Sequence, residues 1–180
     1  QIGAGSTAGS IAASAAITGS TGGTLAFSRS DDYGGSYSMP ITGGLGLTQA
    51  GSGTLFLTGA NTYTGNTAVT AGILAISSTT ALPGWDTPGR ISVSAGAALL
   101  VGDAVSDTDF NTIRTTGSFA ANAAIGFNTT GSRTYAGAGI ANTVNGALGL
   151  VKIGTGTLTM NATNTYTGTT SVRGGTLRLE

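Results

Sequence analysis

Few side chains in this chain can do chemistry. It carries seven carboxylates and seven basic side chains, of which one is a lysine, Lys152, and it has no histidine and no cysteine. A pair of carboxylates could cleave a glycosidic bond, one as acid and the other as base or nucleophile. Asp31, Asp32, Asp86, Asp103, Asp107, Asp109 and Glu180 fall mostly in loop-like stretches, and without histidine the acid–base repertoire is thin. Asp103, Asp107 and Asp109 offer the oxygen ligands that Ca²⁺ takes, but no D-x-D-x-D-G loop surrounds them, and a solvated loop is the simpler reading. Tyr63 and Tyr166 stand at equivalent positions of a repeat and are the candidates for surface binding, as a platform for a sugar ring; packing over a corner is the competing use. The sequence therefore predicts no catalytic residue, no metal and no cofactor, and a protein that is not an enzyme.

These residues must be positioned by a gapless internal repeat. Residues 44–77 slide onto 147–180 at a constant offset of 103, and 16 of 34 positions are identical. Such self-similarity decides the fold before any single residue does. Each copy reads strand, turn, strand, turn, strand. Leu55 and Leu57 point one way and Phe56 the other; Thr67, Val69 and Ala71 share a face; Leu74 and Ile76 point inward. Leu158, Met160, Val172, Leu177 and Leu179 repeat the pattern. Asn61–Gly65 and Asn164–Gly168 read as tight turns, because Asn and Gly accept φ > 0 and Thr hydroxyls bond local backbone.

Composition agrees with β-structure. Glycine and threonine each number 32 of 180, while charged residues are only 8%, against roughly 25% on average. The formal net charge is zero with no basic stripe, which removes the electrostatic case for nucleic acid. No run of about 18 apolar residues exists, so this segment is not expected to insert in a membrane as a helix. The start, Gln1-Ile2-Gly3, looks like a processed or cut end.

Along the chain, Ile11–Ile17 reads as a short strand and Thr24–Ser28 as a clear one; Arg29–Ser38 is loop-like, with Tyr37 and Met39 resuming a strand. Residues 81–90 hold two prolines and Trp85 and form the strongest loop signal. Residues 102–116 read as a longer excursion with room for a helical turn at Phe110 and Ile113. Residues 129–134 read as a turn.

Short strands at this spacing suggest a sandwich, a barrel or a solenoid. The repeat favours the solenoid, in which like coils stack and their inward residues form one core. The expectation is a single all-β domain over 1–180, a parallel β-helix of about six to eight coils, with strands about 4.8 Å apart. Stacked Asn61 or Asn164 would form side-chain amide ladders.

The run Gly51–Gly65, followed by Gly72-Ile73-Leu74 and echoed from Gly154 to Leu179, resembles the autotransporter-associated β-strand repeat of bacterial passenger proteins. The second copy departs from it with Ala162-Thr163 and Met160. The resemblance implies a single-stranded, right-handed β-helix exported to the cell surface or secreted, in a bacterium.

An edge strand exposes unpaired N–H and C=O groups. Thr176, Leu177, Arg178 and Leu179 are the expected assembly edge, with copies of the chain, head to tail, as partners, since unlike ends make open filaments. The sequence reading is thus a structural stalk, matrix or filament subunit. The alternative is an adhesin module binding surface glycans, and a polysaccharide lyase or hydrolase is the remaining reading.

Overall fold

A computed structural model describes residues 1–11, 16–34 and 38–180. The chain winds as a parallel β-solenoid of about seven turns. Each coil passes three faces in order. The first face carries Ile2–Ser6, Thr24–Arg29, Gly46–Gln49, Thr67–Val69, Ile91–Val93 and Ser118–Phe119. The second carries Thr54–Leu57, Ile73–Ile76, Ala98–Gly102, Ala123–Asn128, Leu148–Ile153 and Thr170–Val172. The third is split in two: Ile17–Gly19 pairs with Ile41–Gly43, and Ser132–Tyr135 pairs through Thr157–Met160 to Thr176–Leu179.

What splits the third face is the pair of segments read as loop and excursion. A short 3₁₀ turn, Thr79–Ala81, and the loop after it replace one strand, with Trp85 packed on the core. A ten-residue α-helix, Asp107–Thr116, replaces the next. It is longer than the single turn the sequence suggested. Ser106 caps it, its hydroxyl accepting from Asp109 N at 3.1 Å, and Phe110 and Ile113 point into the core at the i, i+3 spacing of one helix face. Phe110 stacks on Phe127 with ring centroids 4.4 Å apart and meets Tyr135 edge-on at 5.2 Å.

The core lies between the three faces. Phe27, Leu47, Val69, Val93 and Phe119 enter it from the first face, and Leu55, Leu74, Leu99, Ile125 and Leu150 from the second, where they are register partners in neighbouring coils. A second apolar group, including Ile73, Ala75, Ala98 and Leu100, lies on the other side of the second face, with Phe56 packed against it. That two-sided burial is why Ile73–Ile76 and Ala98–Val101 read as unbroken apolar runs.

Several local expectations change. The strand expected over Ile11–Ile17 and the one expected to resume at Tyr37 involve residues outside those described, although Ile17 opens the strand Ile17–Gly19. Met39 is not in a strand; Ile41–Gly43 is. Ser132–Tyr135 is a strand where a turn through residue 134 was expected. Asn61–Gly65 is no tight turn: neither Asn61 nor Gly65 has positive φ. The segment lies along the third face, with Thr62 N and Thr64 N donating to Ile41 O and Gly43 O. Gly65 is needed for space, since a Cβ there would run into the backbone of Leu45 and Gly46.

The two repeat copies do not occupy the same faces. In the first copy, Gly46–Gln49 and Thr67–Val69 lie on the first face and Thr54–Leu57 and Ile73–Ile76 on the second. Their counterparts in the second copy lie on the second and third faces. The offset of 103 residues is therefore four coils plus one face, the fourth coil passing the first face where Thr143 Oγ1 and Asn145 Nδ2 donate to Phe119 O.

Candidate interaction surface

Four of the seven carboxylates, Asp31, Asp32, Asp103 and Asp107, serve the scaffold. Asp103 Oδ2 accepts from Thr130 N at 2.9 Å, Thr130 Oγ1 at 3.0 Å and Gly131 N at 3.4 Å, tying one coil's corner to the next. Burial alone would raise its pKa, but these hydrogen bonds outweigh it and hold the carboxyl below its ordinary value. Asp107 accepts from Arg133 at 3.0 Å and from Ala136 N at 2.9 Å, fastening the helix start to the following coil. Asp31 is held low chiefly by its hydrogen bonds with Arg29, and Asp32 accepts from Thr54 N. Glu180 pairs with Arg178 in the open. Among the described residues no three His, Cys, Asp or Glu side chains gather where a metal ion could be held.

The two tyrosines part company. Tyr63 is 1% exposed, with its hydroxyl 2.7 Å from Thr67 Oγ1, and burial pushes its pKa up to about 12. It is a core residue, so its assignment to a binding surface is corrected. Tyr166 makes the same contact with Thr170 at 2.7 Å but is only half-buried.

The asparagines form no amide-on-amide ladder; they bond to the backbone of neighbouring coils. Asn61 Oδ1 accepts from Ile41 N at 2.8 Å in the coil before, and its Nδ2 donates to Ala81 O at 2.7 Å in the coil after. Asn164 accepts from Ile140 N in the same way, but its Nδ2 turns to Ala162 O of its own coil.

Sequence reasoning missed one position. Gln49 and Lys152, which differ by the repeat offset of 103, are both buried and both bind corner carbonyls. Gln49 Nε2 donates to Gly51 O and Gly53 O, each at 3.0 Å. Lys152 Nζ donates to Ile153 O, Gly154 O and Gly174 O at 3.0 to 3.1 Å. Burial lowers its pKa, and the charge of Asp103 only partly offsets that. The available signal was a long polar side chain at the same point of an apolar strand in both copies.

The remaining candidate is the outer edge. Thr176, Arg178 and Leu179 are exposed and Leu177 half-buried, and Leu179 is 71% exposed. Between this strand and the Asn164–Gly168 segment lies a hollow of about 420 Å³, lined by Met160, Asn164, Tyr166, Thr170 and Leu179 among others.

Stacked coils carrying a structural repeat, with polar side chains bonding coil to coil, define a repeat β-solenoid. The comparisons give the kind. The Passenger-associated-transport-repeat family matches at residues 47–76 and 150–179, again 103 apart. The adhesin BmaC autotransporter of Brucella suis biovar 1 (strain 1330) is 36% identical over 132 residues, covering 71% of this chain and 4% of that protein. No solved structure matches. The chain is an autotransporter passenger-type repeat protein. It spans a small part of the length of the curated relative it matches.

Proposed function

We propose that this chain is a non-enzymatic shaft segment of a bacterial passenger protein, at the cell surface or secreted, stiffened by coil-to-coil bonding. One observation carries this reading: the buried polar side chains Asn61 and Lys152 are spent on backbone groups of adjacent coils. A rod of about seven coils at about 4.8 Å per coil would be about 30 Å long. Small-angle scattering of the purified chain tests this. A rigid particle of that length is expected, and a profile of a flexible chain would sink it. The edge Thr176–Leu179 supports head-to-tail assembly of copies. Electron microscopy should then show filaments that Leu179→Lys shortens or removes, and discrete particles at high concentration would reject assembly while leaving the shaft intact.

An adhesin role is the second reading, favoured by the likeness to an adhesin that is 36% identical over 132 residues. Surface glycans are its proposed ligands. Binding to a glycan array should weaken in Tyr166→Ala, whose ring is accessible, and a blank array with the parent chain would count against it.

A further inference from the structure

Buried polar groups in a folded chain almost always find a partner, so an exception asks for a reason. Among the described residues two buried side-chain atoms have none, Thr129 Oγ1 and Arg114 Nε. Thr129 is sealed in the interior. Arg114 is half-buried in the last turn of the helix Asp107–Thr116, and it lines a hollow of about 470 Å³ between the helix end and residues 142–145. Arg29, Arg133 and Arg178 each pair with a carboxylate, at Asp31, Asp107 and Glu180. Arg114 makes no such pair among the described residues; its Nη2 reaches Asn111 Oδ1 at 3.3 Å. No carboxylate lines the hollow. Ser118 is exposed there, and its hydroxyl has no partner in the chain. Asn145 Nδ2 donates to Phe119 O at 2.9 Å, which leaves Asn145 Oδ1 as an open acceptor. Val144, fully exposed, adds a small apolar surface at the rim. The opening owes nothing to the edge Thr176–Leu179. The next coil is already in place beside residue 142, where Asn142 Oδ1 accepts from Thr167 N at 2.8 Å.

We propose that this hollow binds a sugar unit bearing one carboxylate, a hexuronate unit of an acidic glycan. The Arg114 guanidinium donates to the carboxylate, Ser118 Oγ and Asn145 Oδ1 meet ring hydroxyls, and Val144 takes a C–H face of the ring. A guanidinium matches a carboxylate with two parallel N–H···O bonds, and one cation suits one negative charge. The volume lies in the range of small-ligand sites. A carboxylate on a peptide fits less well, because no free strand edge lies beside the hollow for a peptide to extend. Ser118–Phe119 already pairs with Ile91–Val93, and Phe119 O is taken by Thr143 Oγ1 and Asn145 Nδ2. This rests on the adhesin reading, names the charged part of its ligand, and adds a second contact to the ring of Tyr166.

The test is an NMR titration of the chain with a hexuronate trisaccharide and with its methyl ester, at about 0.15 M salt so that unspecific charge attraction is screened. The acid should shift the Nε–H signal of Arg114 and saturate, and the ester, which lacks the charge, should bind at least about tenfold more weakly. Arg114→Met keeps the packed stem without the guanidinium and should lose binding by a similar factor with unchanged circular dichroism. Arg114→Lys, which keeps the charge without the fork, should fall between. Arg173→Met removes an exposed arginine outside the hollow and should bind as the parent does. Equal affinity for acid and ester, or full binding by Arg114→Met, overturns the proposal. A sulfated sugar or an acidic peptide that displaces the trisaccharide at equal concentration would change the class of ligand and overturn it too. On a glycan array, binding to neutral glycans that ignores Arg114→Met would reject this site and keep the adhesin reading, whereas a blank array removes both.

Discussion

At the scale of single residues, the chain places polar side chains where leucine would be expected, and each has backbone partners. Asn61→Ala removes two bonds to neighbouring coils and leaves Ile41 N buried without an acceptor, which should cost about 3 kcal/mol in urea unfolding. Asn164→Ala should cost less, because its donor serves only its own coil. Alkaline pH separates two further residues. Tyr63 has a folded pKa of about 12, above the ordinary 10.0, so its contribution is complete below pH 10 and is lost as pH rises through 12. Tyr63→Phe should flatten that fall, and should cost about 1 kcal/mol at neutral pH for the lost bond to Thr67. Lys152 runs the other way. Its folded pKa lies below 10.5, so between the two values the unfolded chain holds the extra proton and stability rises with pH. Lys152→Gln should remove that rise and still fold, since Gln49 already fills the equivalent position. Urea midpoints measured from pH 7 to 12 for the three proteins check both signs.

At the scale of elements, the inward rows were legible because a strand alternates with period two, so Leu55, Leu57, Leu74 and Ile76 announced their side from spacing alone. The Asn61–Gly65 segment was misread for a physical reason: Asn and Gly signal positive φ, but here Asn61 is chosen for its amide and Gly65 for closeness to Leu45. The positive φ belongs to Gly72 and Gly175, the corner of each copy, at 59° and 62°. Gly72→Ala combines a left-handed backbone with a Cβ driven into the Gly51 and Gly53 carbonyls, and it should lower the melting temperature more than an alanine placed at the open corner of Gly89. The helix was under-read because Asp107–Thr116 is rich in Asp and Thr, weak helix formers, and is held by tertiary contacts. Phe110→Ala should therefore cost about 3–5 kcal/mol and loosen Phe127 and Tyr135 together, visible as lost near-ultraviolet dichroism.

At the scale of the whole molecule, the repeat and the coil are different units. A sequence period of 103 fixes how alike two stretches are but not which face they land on, and here the second copy lands one face further round. The same strand–corner–strand pattern thus works on the first and second faces or on the second and third, because each face asks only for inward apolar residues and a ladder partner. It follows that length can change by whole coils but not by parts of one. Ala98 is the register partner of Ala124, and Leu99 of Ile125. Removing residues 99–124 joins Ala98 to Ile125 within one strand position and deletes a full coil, helix included. The shortened chain should keep its β dichroism and cooperative unfolding, at lower stability, and should be shorter by about 4.8 Å in scattering. Removing residues 103–117 instead joins the second-face strand Ala98–Gly102 directly to Ser118 on the first, skipping the third, so every later strand would meet the wrong ladder. That chain should fail to unfold cooperatively. If both deletions behaved alike, the coil would not be the unit of construction.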